Sequence, residues 1–222
     1  MKKLVVALDG PAGAGKSTIA KAVAEKIGYA YIDTGAMYRA VTWKFVQTGH
    51  AYEEKFIGEL SETMKIEFQQ KDGRNCVFAD GVEITDCIRT PEITKLVSPL
   101  SAIPQVRVAM VAQQRRMGET GGVILDGRDI GTVVFPNAEV KIFLTASVDE
   151  RAQRRYKEMV AKGMTVDLEE VKADIVQRDY QDSHRPVSPL KQAEDAILLD
   201  STGKTIEEVR DFIIAEIEKK AN

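Results

Sequence analysis

The sequence predicts an α/β fold with a parallel sheet and helices on both faces, and three observations predict it. Short apolar runs of strand length recur at Leu4 to Leu8, Ala30 to Ile32, Val123 to Leu125, Val140 to Leu144 and Ala196 to Leu199, with helical patterns of ten or more residues between them. Gly10 to Ser17 reads G-P-A-G-A-G-K-S, a full match to G-x-x-x-x-G-K-[ST], set between the first run and a helix-like run opening at Lys16. From about Ile66 to Ile84 the alternation breaks into a polar stretch that reads as a small antiparallel insert. Together these describe a P-loop NTPase-like, three-layer α/β/α architecture with a five-stranded parallel sheet.

The elements justify themselves in chain order. Glycines at Gly10, Gly13 and Gly15 let the backbone curl so that successive N–H groups face the oxygens of a polyphosphate, and the following helix adds its positive end. Lys16 supplies a mobile cation for the β- and γ-phosphates, and the Ser17 hydroxyl a ligand for Mg²⁺, so ATP or GTP is the expected ligand. At Asp33-Thr34-Gly35-Ala36-Met37-Tyr38-Arg39 a strand end runs into a helix start. Thr34 and Arg39 there form a second anion site, or Asp33 and Thr34 merely cap the helix. The insert carries turn signals at Asp72-Gly73 and Asp80-Gly81, with alternation in Cys76-Val77-Phe78 and Val82-Glu83-Ile84. Thr90-Pro91 offers a cap followed by proline at the first turn.

Asp126-Gly127-Arg128-Asp129-Ile130-Gly131-Thr132 follows the third apolar run, so its charges emerge at the carboxyl edge of the sheet, where open α/β folds bind ligands. Asp126 stands where a Walker-B acid orients Mg²⁺-bound water. Ser147/Glu150 and Thr205/Glu208 match the capping box. Arg151, Arg154 and Arg155 lie at helical spacings of three and four and share a face that suits a mobile clamp; Arg178, Asp182 and Arg185 repeat that geometry on the next helix, before Pro186. Guanidinium forks neutralise phosphate oxygens in pairs, and transfer of a phosphoryl group between two anions needs many such donors. In the last helix Ile206, Val209, Ile213 and Ile217 form one apolar face toward the sheet.

Composition narrows the function classes. The 222 residues are 44% hydrophobic and 29% charged, an ordinary globule. A formal net charge of −3 argues against a general nucleic-acid partner, and no run reaches membrane-span length. The Met1-Lys2-Lys3 start superficially resembles a signal peptide, but the apolar stretch ends at Asp9 and reads as strand. Cys76 and Cys87 lack metal or redox spacing and read as apolar fillers of a reduced, cytoplasmic protein. No N-K-x-D tetrapeptide occurs, which disfavours a GTPase switch.

These motifs resemble, in order and nearly end to end, those of the bacterial cytidylate kinases, a nucleoside monophosphate kinase family. The resemblance rests on G-P-A-G-A-G-K-S-T, D-T-G-A-M-Y-R, I-R-T-P-E-I, D-G-R-D-I-G-T-V-V-F-P and the R-D-x-x-D-S-x-R stretch from Arg178 to Arg185. It implies transfer of the ATP γ-phosphoryl group to CMP or dCMP with Mg²⁺, in pyrimidine nucleotide metabolism, with UMP as the alternative acceptor. It also implies one kinase domain over 1–222, with a monophosphate-binding insert at about 60–100 and a short helical lid at about 150–165. By the same resemblance Gly10, Pro11, Ala12, Gly13, Ala14, Gly15, Lys16, Ser17, Thr18, Arg154 and Arg155 bind ATP, and Ser17 and Asp126 serve the metal. Asp129, Ser98 and Arg107 are assigned to the base, Arg178 and Asp182 to the sugar, and Thr34, Arg39, Arg128 and Arg185 to the monophosphate. Lys16, Arg128, Asp129 and Arg185 carry the chemistry. Ser98 stands alone before Pro99, where a helix cap is the other reading. A monomer acting on small molecules alone is expected.

Overall fold

The computed structural model describes residues 2–71 and 73–221. Chain order is β1 (Val5–Asp9), α1 (Lys16–Ile27), β2 (Ala30–Asp33), α2 (Thr34–Thr48), α3 (Glu54–Thr63), β3 (Ile66–Lys71), β4 (Arg74–Ala79) and β5 (Val82–Glu83). There follow a 3₁₀ turn (Cys87–Arg89), α4 (Pro91–Ala102), α5 (Pro104–Gly118), β6 (Val123–Gly127) and a π-helical turn (Ile130–Val134). The chain closes with β7 (Val140–Thr145), α6 (Val148–Ala161), α7 (Leu168–His184), β8 (Ile197–Asp200) and α8 (Ile206–Ala221). Five strands form a parallel sheet in the order β2-β6-β1-β7-β8, and β3-β4-β5 form a separate antiparallel one. The fold is thus the expected α/β class.

Two compact units divide the chain: Met1–Tyr31 with Thr120–Asn222, and Ile32–Glu119. In the first, β1 is the central strand, paired in register with β6 (Val5↔Val123 to Asp9↔Gly127) and with β7 (Val6↔Val140 to Asp9↔Phe143). Because β1 is covered on both faces it reads as a continuous apolar run rather than an alternation. Leu4, Val6 and Leu8 join Ile142 and Leu144 of β7, Ile19 and Val23 of α1, and Val209, Ile213 and Ile217 of α8 in one buried cluster. Ile206 departs from the expected stripe: it is 47% exposed, and the buried face of α8 begins at Val209. Helices α6 and α7 have a small core of their own, Ala152, Val171 and Ile175, with Val148, Met159, Val166 and Leu168 packed around it.

The second unit holds the antiparallel sheet, with Ile66↔Ala79 and Phe78↔Glu83 in register. Of its two predicted turns, Asp80-Gly81 joins β4 to β5, while Asp72 lies outside the described residues. Gln113 of α5 fastens the sheet by accepting the Ile66 N–H at 3.1 Å and donating to the Met64 carbonyl at 2.9 Å. Both cysteines are free, but only Cys76 is an apolar filler; Cys87 opens the 3₁₀ turn and is exposed, while Ile88 takes the buried place.

Candidate active site

The phosphate loop leaves the carboxyl end of β1 with positive φ at Gly10 (148°), Gly13 (75°) and Gly15 (85°). At Gly10 both backbone and space demand glycine, since a Cβ there would run into the Leu144 carbonyl of β7. Gly15 caps α1 with no side-chain bond, so the first amides of that helix have no side-chain cap. Lys16 is buried and its Nζ donates to the Pro11 carbonyl at 2.7 Å, bridging the loop. Burial pushes the Lys16 ammonium well below the usual lysine range, Arg128 and Arg178 push the same way, and Asp126 and Asp9 oppose them. Ser17 donates to Asp126 Oδ2 at 2.7 Å, and Tyr31 donates to Asp126 Oδ1 at 3.0 Å. Thr18 is exposed on the first turn of α1.

Helices α6 and α7 grip the same loop. Arg151 is buried and donates from Nη1 to the Ala12 carbonyl at 2.8 Å and to Asp179 Oδ2 at 2.5 Å. Asp179 of α7 in turn accepts the Ala12 N–H at 3.0 Å. Arg154 donates to the Ser201 hydroxyl and carbonyl at 3.1 and 3.0 Å and to Ala14 O at 3.5 Å, while Arg155 is half-buried. The three arginines therefore do not form one free clamp: Arg151 is built into the loop's support.

A second cluster of charge lies in this unit. Arg128 Nε donates to Asp182 Oδ2 at 2.8 Å, Arg185 Nη1 lies 3.9 Å from Asp182 Oδ1, and Arg185 Nη2 lies 3.5 Å from Asp129 Oδ1. Burial works against the Asp182 carboxylate, yet Arg128, Arg178 and Arg185 hold it below the usual aspartate range. Burial likewise opposes the Arg128 guanidinium, and Asp182, Asp126 and Asp179 together more than offset it. Arg178 and Asp182 share α7 as expected, but Arg185 does not continue the helix: it is the C-cap at φ −64°, ψ 142°. The following Pro186 disfavours a helical backbone there.

In the second unit Asp33 caps α2, accepting the Ala36 N–H at 2.8 Å, and its other oxygen takes Arg89 at 2.9 Å. Thr34 is the first, buried residue of α2, and Arg39 donates to the Thr94 hydroxyl at 2.9 Å. Ser98 is no cap but an interior residue of α4, which runs on through Pro99. The structure brings Ser98 and Arg107 to one corner: the Ser101 hydroxyl donates to the Ser98 carbonyl at 2.9 Å, and Arg107 Nη1 donates to the Ser101 carbonyl at 3.2 Å. The Arg107 guanidinium is buried 5.2 Å from the Tyr38 ring centroid.

Sequence reasoning missed Asp9, Tyr31, Arg89 and Asp179. Arg89 and Asp179 lie inside motifs already singled out, and Asp9 is an acid closing a buried apolar strand; Tyr31 carries no comparable mark.

Fold and loop together define a P-loop nucleotide-binding α/β protein. The cytidylate kinase family model matches residues 6–219, and the chain belongs to that family. It is 53% identical to a cytidylate kinase of Streptococcus pneumoniae strain 70585 over 222 residues, 99% of this chain and 100% of that one. It is 52% identical, at the same coverage, to the cytidylate kinase of S. pneumoniae serotype 4. Among solved structures an uncharacterized protein from Eubacterium ventriosum shares the fold, with a TM-score of 0.55 at 12% identity over 97% of this chain and 99% of that one.

Proposed function

We infer that this chain transfers the γ-phosphoryl group of ATP to CMP or dCMP, giving ADP and CDP or dCDP. The observation that carries the reading is a phosphate loop and a buried arginine–carboxylate cluster in one compact unit of a chain that matches the family over residues 6–219. A uridylate acceptor finds no support in the relatives, which are cytidylate kinases.

Gly10 to Thr18 cradle the ATP phosphates, with Lys16 on the transferring group and Arg154 and Arg155 from the lid. Arg128, Arg185, Thr34 and Arg39 take the monophosphate, Arg178 and Asp182 the sugar, and Asp129, Arg107 and Ser98 the base. Cytosine offers an amine needing an acceptor and a carbonyl and ring nitrogen needing donors, so an acid with an arginine is the minimum reader. Ser17 and Asp126 present adjacent oxygens 2.7 Å apart, a donor set that fits Mg²⁺, which keeps several waters and needs few protein ligands. When bound, the ion neutralises charge between the β- and γ-phosphates.

The acceptor oxygen is already an anion, so no general base is required; alignment and charge neutralisation do the work. The lid, about 150–165, excludes water that would otherwise accept the phosphoryl group. With the insert at about 60–100 it completes a single kinase domain, acting as a cytoplasmic monomer on small molecules. No helix among the described residues is long and apolar enough to cross a membrane.

The test is an acceptor panel: CMP, dCMP, UMP, dTMP and AMP offered with ATP in a coupled ADP-release assay. CMP and dCMP give the highest kcat/KM; a preference for UMP or AMP contradicts the reading.

A further inference from the structure

Asp9 closes β1 and is followed immediately by Gly10, the first glycine of the phosphate loop. It is 6% exposed, an expensive place for a carboxylate. Its Oδ1 accepts the N–H of Ile130 at 2.8 Å and its Oδ2 the N–H of Gly131 at 2.7 Å. Those are the first two amides of the π-helical turn, which lack partners within the turn, and a carboxylate bonds them with charge assistance. The residues directly before them are Arg128 and Asp129. Space is shaped for this contact: a Cβ on Gly131 would lie 3.1 Å from Lys141 Cδ and 3.4 Å from Asp9 Oδ2, so a side chain there would press on the carboxylate.

One carboxylate thus joins the strand that ends in the donor loop to the turn that begins at the acceptor residues, and both of its oxygens are occupied by backbone. We propose that Asp9 is a positioning residue, fixing the spacing between the phosphate loop and the Arg128–Asp129 segment while contacting neither nucleotide. The proposal rests on the reading of Arg128 and Asp129 as acceptor ligands. Its reach is large because displacement of reacting groups by about 1 Å can cost on the order of 100-fold in rate.

The experiment is steady-state kinetics of Asp9→Asn and Asp9→Ala with ATP and CMP varied separately, beside Arg128→Ala, with folding followed by circular dichroism. Asn keeps one acceptor oxygen, so Asp9→Asn raises the KM for CMP by about tenfold and Asp9→Ala by more, while the KM for ATP moves less than about twofold. Equal shifts in both KM values, or an unchanged kcat/KM for CMP in folded Asp9→Asn, overturn the proposal. If Asp9→Ala fails to fold, calorimetric CMP binding to Asp9→Asn replaces it: about tenfold weaker binding supports the proposal and unchanged binding overturns it. Arg128→Ala separates the two readings: an unaltered KM for CMP overturns the acceptor-site reading and this proposal with it, whereas an impaired Arg128→Ala beside a normal Asp9→Asn overturns this proposal alone.

Discussion

Lys16 and Asp9 stand at opposite ends of the same electrostatic problem: both are buried charges, and burial moves their pKa values toward the neutral form. Asp9 is pushed from its ordinary 3.8 up to about 6, Asp129 adding to the rise, even though the amides of Gly131 and Ile130 and the Lys16 charge pull it down. Between those two pH values the folded chain binds more protons at this site than the unfolded chain, so this group's contribution to stability falls as pH rises, by about 3 kcal/mol in total. Asp182 has the opposite sign: its arginines favour the ionised form, and its contribution is lost on acidification. Urea titrations of the wild type and Asp9→Asn at pH 4 and pH 7.5 therefore differ by an amount that shifts against the wild type with rising pH; a pH-independent difference contradicts this. Lys16→Met lowers turnover by about 10²–10³-fold or more with an unchanged circular dichroism spectrum, because a preorganised cation on the transferring phosphate is lost; near-normal turnover refutes its role. At this scale the sequence marks Lys16 and Ser17 plainly, since a fixed spacing carries their chemistry, and Asp126 by its place at the end of an apolar strand run. It does not mark the Asp179 contact with Ala12, 167 residues away, because no local pattern encodes a tertiary hydrogen bond.

Element boundaries follow local chemistry where local chemistry is strong. Thr205 and Glu208 form a reciprocal box, with Thr205 N–H donating to Glu208 Oε2 at 2.8 Å and Glu208 N–H donating to Thr205 Oγ1 at 3.2 Å. Thr205→Ala costs about 1 kcal/mol of stability, read by the urea midpoint; no loss contradicts the cap. At Ser147 only half the box forms: Ser147 accepts the Glu150 N–H at 3.2 Å, but the Glu150 carboxylate turns to Arg154 at 3.1 Å. Competition from a nearby guanidinium is invisible to a capping rule. Strands β1 and β8 lie one residue further along than the apolar runs suggest, since ladder bonds extend into their terminal aspartates. In the α6–α7 hairpin Ile175→Ala empties part of a small core built on the buried Ala152, Val171 and Ile175, at about 2–5 kcal/mol. Hydrogen exchange shows that loss on α6 and α7 while the central strands keep their protection; uniform loss across the sheet contradicts an independent hairpin core.

For the whole molecule, the parallel sheet, the antiparallel insert and the family are legible because motif order and element alternation survive in the linear chain. The division at Ile32 and Glu119 is not, because no linker composition marks it and the second unit extends beyond the predicted insert at both ends. The central claim is that the arginine–carboxylate cluster of the first unit receives the acceptor nucleotide. A crystal structure grown with a non-hydrolysable ATP analogue and CMP tests it most directly. The account predicts CMP phosphate oxygens at hydrogen-bond distance, about 3 Å, from the Arg128 and Arg185 guanidinium groups, with Asp182 on the ribose. CMP bound elsewhere, with Arg128 still paired only to Asp182, would contradict it.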